Sequence, residues 1–233
     1  MKNTETVKMP IQKQLRPIIK RELRRLIHPL WKPFYSQGGE DKLVYKILGD
    51  KPNGFYVDVG AWCPDTLSNT YFFYQLGWSG VCIEPNPDLI ELYKLVRPRD
   101  TLLNMAVSNF EGEANLFTTP STVLNSLNRR EDVHESSLVV KVRRLESILD
   151  ELKAPKEIDF ISIDTEGTEI QVLEGLNLDK YRPRLISVEY NTTSIINTEL
   201  QPYLIAKGYS VINVSHCNII VSSDFKRDAL LLE

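Results

Sequence analysis

Cysteine is scarce in this chain. Cys63, Cys82 and Cys217 are the three in 233 residues, and they lie far apart with no CxxC pair. A disulfide frame and a structural zinc site are thereby excluded as expectations, and a reducing, cytoplasmic setting is expected. Long apolar runs are also missing: none approaches the ~18 residues a membrane-spanning helix needs. No short apolar core is followed by a small-residue cleavage site, so secretion is not expected. There is no internal repeat and no low-complexity segment. What remains is ordinary for a globular protein, with 42% apolar and 25% charged residues and enough length for one large domain with a full core.

The net charge of −3 conceals an asymmetry. Residues 1–33 hold nine lysines and arginines against Glu5 and Glu22, a local +7 that leaves −10 for the rest. Residues 1–34 read as a basic amphipathic helical arm and residues 35–233 as the main domain. Ile11, Leu15, Ile18, Ile19, Leu23, Leu26, Ile27, Leu30 and Trp31 recur at steps of three and four, with the cations largely between them. Pro17 starts or kinks the helix, and Pro29 and Pro33 end it. Two readings stay open. Residues 11–31 form a surface helix on an anionic membrane, at the inner face of which the protein would be peripheral, or a helix packed on its own domain or on a second subunit.

From residue 54 onward strands and helices alternate. Strands are expected at 54–60, 79–84, 101–107, 158–164 and 184–190. Helices are expected near 40, near 66–76, after Pro87, near 145–152, from Thr168 and near 197–207. Residues 113–119 and 138–144 read as extra strands around a polar loop, 121–137. Two strands, 209–214 and 218–223, close the chain across a turn too short for a crossover helix, so they should pair antiparallel. Continuous apolar strands separated by helices imply a mostly parallel sheet with helices on both faces.

The segment "GFYVDVGAWCPDTLSNTYFF", residues 54–73, has the layout of a nucleotide-binding turn but one glycine instead of three. A pyrophosphate wants several bare backbone amides and would be repelled by Asp58. Ligands of such sheets lie beyond the C-terminal strand ends, and those ends carry Asp58, Glu84, Asp164, Glu166 and Glu189. This acidic rim suits a ligand with an ammonium, a sulfonium and a ribose diol, and S-adenosylmethionine has all three without a phosphate. Gly60 permits close backbone approach. Glu84 lies 24 residues beyond Gly60, where a carboxylate can accept both ribose hydroxyls. Ser68, Asn69 and Thr70 could offer hydroxyls or amides near a helix start. Asp58 could instead simply cap a turn.

Three separated stretches, "YSQGGED" (35–41), residues 54–87 and "IDFISIDTEGTEIQVLEGL" (158–176), followed by "ISVEYN", resemble the FkbM family of S-adenosylmethionine-dependent methyltransferases. The resemblance covers about residues 35–222 and implies a class I, Rossmann-like methyltransferase fold: a seven-stranded, mostly parallel sheet with an antiparallel last strand. It also implies O-methylation, often of sugars or other hydroxylated metabolites. By the resemblance, Asp58, Gly60 and Ala61 hold the methionine end, Glu84, with Pro85 after it, the ribose, and Asn104, Ala106 and Val107 the adenine side. Many relatives carry a histidine after Gly-Ala, where this chain has Trp62 and Cys63.

The candidate reaction centre is "IDTEGTE". Asp164 and Glu166 are two apart, so persisting strand geometry would point both to one side. Either carboxylate could accept the proton of a hydroxyl acceptor. Together they could bind Mg²⁺, although no residue is assigned as a metal ligand. Glu166 could equally cap a helix, and capping is the favoured role for Glu169. His216, in the last turn, and His134, in the polar insertion, are alternative bases. Gln37, Glu40 and Asp41 close over the ligand or cap a helix. Trp62, Trp78 and Tyr71–Tyr74 stack on ligand or pack in the core.

The leading expectation is therefore a methyltransferase acting on a hydroxyl of a sugar, glycan or lipid-linked glycan. A nicotinamide-dependent reductase or epimerase fits the strand pattern but lacks the glycines and a Tyr-x-x-x-Lys helix, since Tyr45 and Tyr93 precede lysine directly. A membrane or nucleic-acid binding module would rest on the arm alone, and with so acidic a body nucleic acid is not an expected partner.

Overall fold

Burial along the central strands separates by parity, which is what a sheet covered on both faces requires. In strand β1 (Phe55–Val59), Val57 and Val59 join one apolar core, and Tyr56 joins the other. Strand β7 (Phe160–Ile163) repeats the pattern, with Ile161 and Ile163 on the first side and Phe160 on the second. The computed structural model describes residues 34–49, 51–133, 135–190, 199–215 and 217–232. All of these but Phe34 belong to one compact unit, Tyr35–Glu233. The basic arm, His134 and His216 lie outside the described residues.

The main sheet has seven strands in the order β3-β2-β1-β7-β8-β10-β9. Its remaining members are β2 (Ser79–Ile83), β3 (Thr101–Leu103), β8 (Leu185–Glu189), β9 (Ser210–Val214) and β10 (Asn218–Ser222). All neighbouring pairs are parallel except those of β10, which runs antiparallel to both β8 and β9. This is the expected seven-stranded, mostly parallel sheet with the last strand reversed. One core packs under helices α4 (Leu145–Glu151), α5 (Glu169–Glu174) and α6 (Leu200–Ala206). The other packs under α1 (Glu40–Leu48), α2 (Tyr71–Gln75) and α3 (Ile90–Val96). Trp78 and Tyr71–Tyr74 are buried in that second core, so of the aromatic candidates only Trp62 reaches the cleft.

Two expectations about elements are corrected, and one helix is added. The strand expected at 101–107 is two. Asn104 turns its Nδ2 to the carbonyls of Glu84 and Pro85 (2.9 and 3.0 Å), and the chain then leaves the sheet. Beyond it β4 (Ala106–Val107) pairs with β6 (Ser136–Arg143), which also pairs with β5 (Gly112–Thr118), forming a separate three-stranded sheet. The helix expected from 66 begins only at Tyr71. Leu67 adopts φ +54°, and Ser68 Oγ accepts the N–H groups of Thr70 and Tyr71, which makes 66–70 a turn. A final helix, α7 (Phe225–Leu230), had no expectation at all. Its buried Asp228 accepts from Arg184 (2.5 Å) and from Ser222 Oγ (2.7 Å), anchoring the helix to the end of β10.

Candidate functional site

Strand order reverses between β1 and β7, because the chain builds outward from β1 through β2 and β3 and then returns to its other side. A cavity of about 370 Å³ lies beyond the C-terminal strand ends there, where an open α/β sheet places ligands. The ends of β1, β2, β7 and β8 contribute Asp58, Gly60, Ala61, Glu84, Pro85, Asp164, Glu166 and Glu189. Asn69, Ala106 and Val107 also line it, whereas Thr70 and Asn104 do not. Leu116 of β5 also lines the cavity, with residues 122–127 and Arg130 of the β5–β6 connection, where the sequence predicts a polar loop. Among the described residues lining the cavity, Arg130 is the one cation against five carboxylates. Its Nη2 lies 3.5 Å from Glu166 Oε2.

Glu84 is the best-defined group of the site. It follows β2, and its two oxygens each accept one backbone N–H: Oε2 from Trp62 and Oε1 from Asn86, both at 2.8 Å. Each oxygen keeps a lone pair for a second donor. Burial pushes this carboxyl up to about 7, against the pull of those two N–H groups.

Asp58 sits differently. It lines the cavity yet is held from behind, where Thr70 Oγ1 donates to Oδ2 at 2.5 Å. Thr70 in turn receives Arg97 Nη2 at 2.9 Å, so its buried hydroxyl is committed to structure and not to a ligand. Burial raises the Asp58 carboxyl, and the Arg97 charge opposes that rise. Gly60 and Ala61 both donate their N–H to the Ile83 carbonyl, so neither amide is left for a ligand.

Arg97 had no place in the sequence reading. The only hint was an arginine three residues before Asp100 between a helix and a strand. Its side chain is fully buried and pairs through Nε with Asp100 at 2.7 Å. Nη2 also reaches Tyr56 Oη at 2.9 Å, and Nη1 bonds the Pro64 carbonyl at 3.3 Å and Ser68 Oγ at 3.4 Å. One guanidinium thus fastens the loop after Gly60 to β1 and to the start of β3.

Strand alternation does not continue past the end of β7. The strand stops at Ile163, and Glu166 takes φ +57°. Both Asp164 and Glu166 still face the cavity, because a turn brings them there and not strand alternation. One carboxylate oxygen from each of Asp164, Glu166 and Glu189 lies within 4.8 Å of the other two. Burial, and after it the neighbouring carboxylates, raise Asp164 and Glu189 well above the ordinary range. Glu166 is raised by burial and pulled back by Arg130. Glu169 does not cap its own helix, which starts at Glu169 without a side-chain cap; its Oε1 instead closes the turn before it, accepting from Thr165 N, Thr165 Oγ1 and Gly167 N at 2.9–3.0 Å.

Of "SQGGED", Gln37 lines the cavity. Glu40 and Asp41 are buried and structural: Asp41 accepts from Tyr35 N and Ser36 Oγ, and Glu40 binds Asn218 Nδ2 and Ser215 Oγ near the β9–β10 turn.

Comparison with known proteins adds a family. Residues 58–211 match the family model described as "Methyltransferase FkbM domain". No curated protein matches the chain. Among solved structures, a methyltransferase from Geobacter sulfurreducens shares 12% identity over 94% of this chain and 90% of its own, with a TM-score of 0.46. The 1,6-didemethyltoxoflavin-N1-methyltransferase of Burkholderia thailandensis, solved with S-adenosylhomocysteine, shares 11% over 95% and 92%, with a TM-score of 0.42. The C-terminal domain of precorrin-6Y C5,15-methyltransferase from Rhodobacter capsulatus shares 13% over 78% and 86%, with a TM-score of 0.42.

Proposed function

Because this chain belongs to the FkbM methyltransferase family, we propose that it uses S-adenosylmethionine to methylate a hydroxyl group of a sugar, glycan or lipid-linked glycan. The observation that carries the cofactor assignment is Glu84. Its two oxygens, each already braced by one N–H, face a cavity whose described lining has five carboxylates and one arginine. A vicinal diol presents two O–H donors to such a carboxylate, and a ligand with a sulfonium and an ammonium would draw the raised carboxyls around it toward their ionised form. The donor set does not suit a pyrophosphate, since the Gly60 and Ala61 amides are spent on Ile83.

When bound, S-adenosylmethionine supplies an electrophilic methyl group on sulfur. The chain's own residues then have three tasks. Glu84 orients the ribose, and Asp58 and the backbone at Gly60 bound the methionine end. Asp164 or Glu166, whichever is ionised, takes the acceptor hydroxyl's proton on a carboxylate oxygen. Residues 122–127 wall the cavity and reduce the water that competes as acceptor. Clustered carboxylates also favour a neutral, hydroxyl-rich acceptor over an anionic one, because hydroxyls donate hydrogen bonds to them.

The test is transfer of a labelled methyl group to a panel of sugars, nucleotide sugars and lipid-linked glycans. It is run with and without a chelator, because three clustered carboxylates are also an oxygen donor set that Mg²⁺ accepts. Transfer to a neutral glycan hydroxyl is the expected result. Transfer to nitrogen or carbon acceptors alone would overturn the O-methylation reading.

A further inference from the structure

Trp62 makes two contacts that no other residue of the cavity combines among the described hydrogen bonds. Its backbone N–H donates to Glu84 Oε2 at 2.8 Å, and its indole Nε1–H donates to Thr122 Oγ1 at 3.0 Å. The first ties it to the carboxylate assigned to the ribose. The second reaches the β5–β6 connection, which also lines the cavity.

Both partners hold uncommon backbone shapes. Trp62 has φ +40° and Thr122 φ +60°, conformations that cost a bulky or β-branched residue free energy and persist only where surrounding contacts impose them. Four of the six non-glycine residues with positive φ among the described ones, Trp62, Leu67, Thr122 and Glu166, line this cavity. The far end of the same segment is anchored separately, by Ser126 Oγ to the Glu166 carbonyl at 2.9 Å. Val123 and Leu124 therefore stand over the cavity between two fixed points, one on the turn after β7 and one on Trp62.

We propose that Trp62 is a positioning residue that couples the cofactor half of the cavity to residues 119–127, so that a ligand held on Glu84 fixes the wall against which the acceptor is placed. This rests on the assignment of Glu84 to the cofactor ribose. The coupling is mechanical: a ribose on Glu84 immobilises the carboxylate, the carboxylate holds the Trp62 backbone, and the indole holds Thr122.

The experiment is hydrogen–deuterium exchange of the full chain, free and saturated with S-adenosylhomocysteine, saturation being verified by calorimetry for each variant. In wild type the ligand should slow exchange across 119–127. Trp62→Phe keeps a ring but lacks the donor, and Thr122→Val keeps the branched side chain but lacks the acceptor. Each should speed exchange of that segment in the ligand-bound protein by about fivefold, the weight of one hydrogen bond, and by less in the free protein. The double variant should add nothing to either single one, as two halves of one contact require. Equal acceleration with and without ligand would mean a purely structural contact and would overturn the coupling, as would additive effects. Binding that leaves 119–127 unchanged in wild type overturns the coupling alone. Absence of binding to wild type overturns the cofactor reading and the coupling with it.

Discussion

The backbone at Gly60 touches the backbone at Asp164: a Cβ built on Gly60 would lie 1.7 Å from the Asp164 carbonyl oxygen. Gly60 also has φ +74°. The end of β1 and the end of β7 therefore meet without room for a side chain, and that contact sets the spacing between Asp58 and the carboxylates after β7. Gly60→Ala should destabilise the protein by more than ~1 kcal/mol, since neither the angle nor the space admits alanine. Chemical denaturation measures it, and wild-type stability in this variant would show that the strand ends part easily.

Glu84 should make cofactor binding pH-dependent. Its carboxyl sits at about 7 in the free protein, and a ligand diol binds the ionised form, so affinity for S-adenosylhomocysteine should rise with pH through that region. The slope contributed by Glu84 is at most about tenfold per pH unit. Glu84→Gln should weaken binding by roughly 1–3 kcal/mol at pH 8 and show a shallower pH profile than wild type by calorimetry. Unchanged affinity in the variant would remove the ribose assignment.

Ligand-free stability should move the other way. The ordinary glutamate value of 4.5 applies to the unfolded chain, and the folded value of Glu84 is about 7. Between these the native state binds the extra proton. The contribution is fully present below about 4.5 and lost as pH rises through 7, and the raised Asp164 and Glu189 extend the loss to higher pH. The melting temperature of the free protein should fall from pH 6 to 8, and the increment from S-adenosylhomocysteine should grow. A rising free-protein curve over that window contradicts the cluster's assigned state.

Asp164→Asn removes charge and basicity while keeping size. If Asp164 takes the acceptor proton, single turnover should fall by ~10² or more. Glu166→Gln should act similarly if Glu166 is the acceptor of that proton, and little if Arg130 merely holds it aside. Near wild-type rates in both variants would leave His216, outside the described residues, as the next base to test.

Arg97→Met should be the most damaging single change. It strands Asp100 and leaves Asp58 without the opposing charge, and breaking a buried pair from one side costs ~3–5 kcal/mol. Urea midpoints for Arg97→Met and for Asp100→Asn, compared with the double variant, read the coupling. Additive losses would show that the two residues act separately.

Much of the architecture was legible because apolar runs and their spacing are local. Continuous apolar strands such as 54–60 and 158–164 separated by helical segments, and the turn too short for a crossover before β10, announce a covered parallel sheet with a reversed last strand. Asp58 and Glu84 were legible for the same reason: strand ends are local, and strand ends are where such sheets bind ligands. Tertiary structure decided what depends on distant chain meeting distant chain. Arg97 reaches Pro64, Ser68, Thr70 and Tyr56 across the fold, and that is what turns Thr70 from a ligand candidate into a brace. Asn104 ends a strand by bonding carbonyls 19 and 20 residues earlier. Part of the cavity lining comes from a connection that reads only as polar, because the indole of Trp62 and the hydroxyl of Thr122 are 60 residues apart in sequence and joined only by the fold.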